Sequence, residues 1–500
     1  MNHKILKRKG KNTQTESNFR REHKGLLRRI SAFVIAAAVM TTGMPMQQIA
    51  DNIPDLDIIS KISSLIPDAA MKAAAAEPQY RDTAKDINIT TGDALVDYVN
   101  GTLTDANGNF VGYNEKDSIS IALSDSYTLQ NFNGIGTEEH PFEGTITIGQ
   151  ASESAPYGDL TKLTWENSSL FNYVTTDAVI TNGNESDSEK PFYFQNSGTG
   201  TAPLFANHVV AGKKDDPQTW HIVVDASAPY GGVVGDLGKD AKGENAKADI
   251  HVGYLNNSAV VGGDTAGGIC GTMGNNSELN LWLDKSIKDT SGKDTTSQSL
   301  GNITANDFAG GVIGQMNTGS VLTIKEMSKI TSERTIKSNG KTVPNLNDGK
   351  TKNAAGGLVG KADGAKIEFA KDVSYTNSGT LNATVTNAPT ASGAGGVFGV
   401  YSAAEGAEFN IDLRNYELTG TINVSANAGG GFAGRFELKG NDTESSAAKI
   451  TIYNETAKDA NSDVDFKVKS NKGTVGGIIG KILNVNGNLK NTFTIKEIKK

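Results

Sequence analysis

Few residues of this chain have chemistry to offer, and they lie far apart. A nucleotide cradle needs a glycine-rich loop ending in Gly-Lys-Ser/Thr, with backbone N–H groups on the phosphates and the hydroxyl on magnesium. Gly360-Lys361 and Gly480-Lys481 supply the Gly-Lys pair, but Ala362 and Ile482 stand where the hydroxyl belongs, and Ala355 and Val475 replace the first glycine. Cleavage of a polysaccharide needs paired carboxyl groups, or a base beside a calcium site, on neighbouring elements. The acids here show no repeating spacing, and Asp215-Asp216 beside Lys213-Lys214 reads as a solvated loop. His140, His208, His221 and His251 lack metal-ligand spacing. Trp220-His221 and Trp282 could form a flat platform for a sugar ring, although a strand aromatic more often packs than binds. Cys270 is the single cysteine, so a disulfide framework and a multi-thiolate zinc site are excluded. The expectation is no catalytic residue, no cofactor and no metal: not an enzyme.

The elements that would carry such residues follow from composition. The chain has 500 residues, 37% hydrophobic and 21% charged, with 57 Gly against 12 Pro. That is too apolar for a disordered chain, too poor in charge for a coiled coil, and without the Gly-X-Y period of collagen. Residues 1–50 hold ten Lys/Arg and two acids, which leaves 51–500 with a net charge of −16. A body so acidic is repelled by phosphate backbones, so no nucleic-acid partner is expected. The basic head ends at Arg28-Arg29, an apolar run follows from Ile30 to Met40, and Thr41, Thr42, Gly43 and Pro45 break it. Such a head describes an export signal over 1–50, too short in its apolar core to span a membrane comfortably. A linker with an amphipathic stretch (Ile58, Ile59, Ile62, Leu65) covers 51–81. The protein is expected to be secreted or at the cell surface, touching the membrane only through the export signal.

From residue 230 the chain repeats itself. The pattern small-Gly-Gly-apolar-apolar-Gly occurs seven times, with its first glycine at Gly231, Gly267, Gly310, Gly356, Gly395, Gly430 and Gly476. The intervals run from 35 to 46 residues, so a fixed unit recurs with insertions between copies. Around each copy lie alternating segments such as Asn382-ATVTN, Thr421-INVSAN, Val321-LTIKEM and Ile450-TIYN. Period-two alternation rich in Val, Ile, Thr and Phe predicts half-buried strands, three to a repeat. The paired glycines are expected to supply positive φ and close backbone approach at a sharp turn. The second apolar position gives a predicted core stack of Val234, Cys270, Ile313, Val359, Phe398, Ala433 and Ile479. Phe398 is followed by Ala433, beside which Phe432 takes up the bulk, as close packing requires. In that stack Cys270 acts as a small hydrophobe.

The motif, notably Ala355-GGLVG, resembles the GLUG-type repeat of bacterial surface proteins. Upstream, Asp117-SISIALSDSYTLQNFNGIG with Thr137-EEHPFEGTITIG resembles the opening turns of such proteins, and Leu170-FNYVTTDAVITN a following one, with Asn172 in the place of the usual Gly. The resemblance implies an all-β fold, a parallel β-solenoid (right-handed β-helix). Thr91-GDALVDYVN predicts a short helix, capped by Thr or Asp, that closes its amino-terminal end. The expected organisation is a cap and first turns over 82–150, irregular turns over 151–229 and the repeat array over 230–500. The expected role is an adhesin-like protein that binds or displays, its partner a host or cell-wall glycan or protein, with a further C-terminal module or self-association in addition. The alternatives are a carbohydrate-active β-helix enzyme and a structural spacer of a larger surface protein.

Overall fold

The chain divides into Met1–Glu77 and Pro78–Lys500, and the described residues belong to the second unit. The computed structural model describes chiefly residues 80–129, 134–150, 169–175, 232–238, 247–255, 263–283, 301–331, 333–340, 353–386, 391–403, 405–439, 448–453, 474–484 and 491–495, with the further strands named below. The expected export signal, nearly all of the expected linker and much of 151–229 lie outside the described residues.

Strands dominate, and among the described residues the paired strands are parallel with one exception, Ile287–Lys288 with Asp294–Thr295. Alternation explains them residue by residue. Glu278–Leu283 buries Leu279, Leu281 and Leu283, while Val321–Glu326 buries Leu322 and Ile324. A one-residue slip between the two would turn every leucine outward, so the buried face holds the register. Leu279 pairs with Leu322 and Leu322 with Ile367, one like residue upon the next.

Among the described residues, each repeat from the second motif copy onward gives one strand to each of four sheet positions, where three strands were expected, and two repeats add a fifth short strand, Tyr375–Asn377 and Tyr416–Leu418, which pair with each other. One repeat supplies Ile303–Ala305, Phe308–Gly310, Ile313–Met316 and Val321–Glu326. The next supplies Arg334–Ser338, Asn353–Gly356, Val359–Asp363 and Lys366–Phe369. The difference arises at the motif itself, which straddles a turn. Its small residue and first glycine end an entry strand, its second glycine and first apolar residue make the turn, and its second apolar residue starts an exit strand. The entry sheet has six strands, from Thr265–Gly267 to Thr474–Gly476. The exit sheet has nine, from Phe171–Tyr173 to Ile479–Asn484. A six-stranded sheet precedes the entry sheet in each repeat, and the long strands form the fourth, eight-stranded sheet. After Lys366–Phe369 the fourth position is taken by the three-stranded set Glu408–Asp412, Lys449–Tyr453 and Thr492–Ile495.

The glycines act by close approach. None of the described motif glycines has positive φ, unlike Gly319, Gly340 and Gly364 in the connections between strands. A Cβ on Gly356 would lie 1.9 Å from the Val359 carbonyl oxygen and 2.6 Å from the Gly399 amide nitrogen. The entry and exit strands are thus packed backbone to backbone. The second glycine faces the next repeat instead: a Cβ on Gly311, Gly357 or Gly396 would stand 2.0–2.1 Å from the carbonyl oxygen of Gly357, Gly396 or Gly431 respectively. At Gly477 the same added carbon meets nothing within 4 Å.

At the amino-terminal side, Asp86–Ile89, Ser118–Leu123, Thr145–Gln150 and Val179–Asn182 form a four-stranded parallel sheet. Helix α1, Gly92–Val99, follows the first of these strands. The Thr91 hydroxyl accepts from the Ala94 amide at 3.2 Å, the N-cap contact that satisfies a free helix-terminal donor. Leu95, Tyr98 and Val99 are buried.

The glycine geometry predicts a contrast between two copies of the motif. Gly356→Ala should cost about 3 kcal/mol or more, because backbone on both sides must move. Gly477→Ala should stay within about 0.5 kcal/mol, as for an unconstrained surface position. Urea midpoints of the two variants measure this, and equal losses would contradict the close-approach account.

Candidate functional site

The seven residues of the predicted stack form one continuous column of the exit sheet. Val234 pairs with Cys270, Cys270 with Ile313, Ile313 with Val359, Val359 with Phe398, Phe398 with Ala433, and Ala433 with Ile479. All are fully buried except Ile479, which is partly so. In the entry sheet Gly267, Gly310, Gly356, Gly395, Gly430 and Gly476 are register partners in turn; Gly231 lies outside the described residues. The turn between them is laddered as well. Amides of Ile269, Val312, Leu358, Val397 and Phe432 donate to the carbonyls of Val312, Leu358, Val397, Phe432 and Ile478 at 2.9–3.0 Å. These bonds pair backbone groups that would be costly to leave bare in an apolar interior. The Phe398 ring meets Phe432 edge-on at 5.7 Å, filling the width that Ala433 leaves.

Cys270 is 0% exposed, and its Sγ donates to the Thr272 carbonyl at 3.3 Å. Burial pushes its thiol pKa up, with the Asp236 carboxylate adding to the rise. The reactive thiolate is suppressed by the same apolar column that the residue helps to fill.

The other side of the exit strands carries the polar groups. Thr272, Gln315, Lys361, Val400, Arg435 and Lys481 are register partners, and the entry strands pack over part of this row. Thr265 shares a hydrogen bond with Thr272 at 2.8 Å, and Lys361 Nζ sits 5.0 Å from the centre of the Phe308 ring. Gly393 leaves room where the row is bulkiest, since a Cβ there would touch Val400 and Arg435. Asp363 takes both Nζ contacts of Lys439, at 2.7 and 2.9 Å. Arg435 Nε lies 2.7 Å from Glu437 Oε1 without aiming its N–H at that oxygen, and Ser402 donates to Glu437 Oε2 at 2.8 Å. These charges are paired with one another. Gly360-Lys361 and Gly480-Lys481 lie inside the strands Val359–Asp363 and Ile479–Asn484, so neither opens a helix as a phosphate cradle must. Trp282 and His251 are register partners on the long-stranded sheet. Trp220, His221, His208 and the run 213–216 lie outside the described residues.

Two clusters near α1 escaped the sequence reading. Asp117 is fully buried, yet its carboxylate is saturated: it accepts from Arg81 Nη2 at 2.7 and 2.6 Å, from the Tyr98 hydroxyl at 2.7 Å, and from the amides of Lys85 and Asn114 at 2.9 and 3.0 Å. It joins the helix, the segment leading into the first strand and the loop before the second. Burial, with Asp117 beside it, holds the Tyr98 phenol far above its ordinary range. Nearer the surface, His140 Nδ1 pairs with Glu115 Oε1, and the imidazole stacks on Tyr80 at 3.6 Å. Burial, the largest single influence, raises the Glu115 carboxyl, but the His140 hydrogen bond, a backbone hydrogen bond and the nearby His140 and Lys116 charges together outweigh it and the net shift is downward. The pair and the stacked ring tie residues 80, 115 and 140 together, and the His140 amide donates to the Thr137 hydroxyl at 3.0 Å.

Among the described residues, no group of three His, Cys, Asp or Glu side chains could hold a metal ion. No family model, curated protein or solved structure matches this chain.

Two outcomes follow from these environments. Cys270 should resist a maleimide or iodoacetamide at about pH 8 in the native protein and react fully once unfolded, read by intact mass. Native labelling at the unfolded rate would contradict its place in the column. Because the Glu115 value is lowered on folding, its stabilisation is present above its ordinary value of 4.5 and is lost as pH falls through the lowered one. Glu115→Gln should therefore flatten the acid limb of the stability–pH curve and cost at most about 1 kcal/mol near neutrality, where solvent screens the pair. An unchanged acid limb in urea titrations would remove the pair from that role.

Proposed function

We propose that the chain is an exported β-solenoid, a right-handed parallel β-helix closed at its amino-terminal side by α1, and that it works at the bacterial cell surface as an adhesin-like protein. The observation that carries this reading is the register of the exit sheet, where each copy of the motif adds one strand upon the last. A stack of this kind offers long, regular outer faces on a rigid body, which suits binding or display. The basic head and apolar run of residues 1–50 support export, and the motif copies support membership of the GLUG-type surface proteins. The partner is a glycan or protein of a host or of a cell wall, recognised along the outer rows of the sheets. No cofactor enters this reading.

The test is a binding screen of the full chain, secreted from a bacterial host, against glycan arrays, mucins and cell-wall polysaccharides. New reducing or unsaturated ends are followed in the same wells. Saturable binding without depolymerisation is expected. Depolymerisation would replace this reading with a carbohydrate-active enzyme, and absence of binding across all ligand classes would leave the spacer role in its place.

A further inference from the structure

The sheet that precedes the entry sheet contains a buried charged residue at the head of an apolar column. Arg334 pairs with Leu381, Leu381 with Ile422 and Ile422 with Val468, so an arginine begins a row of aliphatic residues. It points inward and is 1% exposed. Its position is fitted to the motif: a Cβ on Gly311 would lie 2.8 Å from Nη1, as a Cβ on Gly357 would from the hydroxyl of Tyr375. The second glycine of the motif thus leaves space for these two polar heads.

The guanidinium is only partly satisfied. Nη2 donates to the Tyr375 hydroxyl, and to Asn377 Oδ1 at 3.4 Å. Nε and Nη1 are buried without a hydrogen-bond partner, which leaves three N–H bonds unused. The described hydrogen-bond partners are uncharged. Tyr375 is fully buried, and burial outweighs the arginine to keep its phenol protonated; the Asn377 amide is spent on the Gly379 carbonyl at 3.0 Å. An arginine cannot shed its proton at any ordinary pH, so a buried one needs an opposite charge. The other buried cation of the repeats, Arg435, has Glu437 beside it. Arg334 has no carboxylate among its described partners.

We propose that Arg334 holds a small monovalent anion of the chloride class inside the fold, seated against its unpartnered N–H groups. A halide supplies the missing charge and asks only for donors, which is what the site has. Water would satisfy the N–H groups and leave the charge. Phosphate or sulfate would bring a second charge and more acceptor oxygens than one guanidinium can serve.

The experiment uses the full chain in two measurements. Crystals of the unaltered protein soaked in sodium bromide should show an anomalous peak in contact with the Arg334 guanidinium. In solution, replacing sodium gluconate by sodium chloride at fixed ionic strength should raise the thermal midpoint by about 2 °C or more in a saturable manner, since a ligand that binds only the folded state stabilises it. Arg334→Leu, which continues the column of Leu381 and Ile422, should fold and lose the chloride response. The proposal is overturned if the bromide map shows water or an acidic side chain of this chain at the guanidinium. It is equally overturned if the unaltered protein and Arg334→Leu respond alike to chloride. Should Arg334→Leu fail to fold, the bromide map on the unaltered protein decides alone. These readouts do not depend on what the outer surface binds.

Discussion

The structure depends on how closely two backbones can approach at the Gly-Gly turn. At Gly310, Gly356, Gly395 and Gly430 a side chain would run into the carbonyl oxygen three residues on, within 1.8–2.2 Å. Glycine there lets the entry strand fold down against the exit strand, and two consecutive apolar residues can then both reach the interior. The following glycine meets the next copy, so the same motif sets the fold of one repeat and its spacing from its neighbour. That double constraint explains why the motif stays fixed while the connections vary in length. Insertions fall where no such approach is needed.

Charge is handled by the same geometry. The exit strands expose one row to the entry strands, and polar groups placed there are paired: Thr272 with Thr265, Asp363 with Lys439, Arg435 with Glu437. The column of Val234 to Ile479 itself carries no charged side chain. Asp117 does the corresponding work beside α1, where one carboxylate takes up donors from Arg81, Lys85, Tyr98 and Asn114. Arg334 departs from the pattern, a permanent cation among neutral neighbours.

What could be read from the sequence was whatever recurs at short range. Alternation in segments such as Val321-LTIKEM marks strands, and the paired apolar residues mark an interior column, because both signals lie within a few neighbouring positions. The Thr91 cap is local in the same sense. The hidden features join residues distant in the chain. Asp117 meets Arg81 across 36 positions and Arg334 meets Tyr375 across 41, and nothing in their local sequence distinguishes them from surface charges. The role of the motif glycines was legible only in part, since a glycine required for φ and a glycine required for space look alike in sequence. The count of strands per repeat failed for a related reason: two strands of three or four residues separated by a turn read as a single segment.

Each motif copy adds one parallel strand to the exit sheet in fixed register, which sets the distance across several copies. Asp236 and Lys481 are exposed and are linked by six successive register pairings through Thr272, Gln315, Lys361, Val400 and Arg435. Cysteines at these two positions can carry spin labels, because Cys270 is buried. At about 4.8 Å per strand, the account predicts a narrow distribution centred at about 29 Å between backbones, widened only by the label arms. A broad distribution, or a centre displaced by about 10 Å or more, would contradict the register and with it the fold as described.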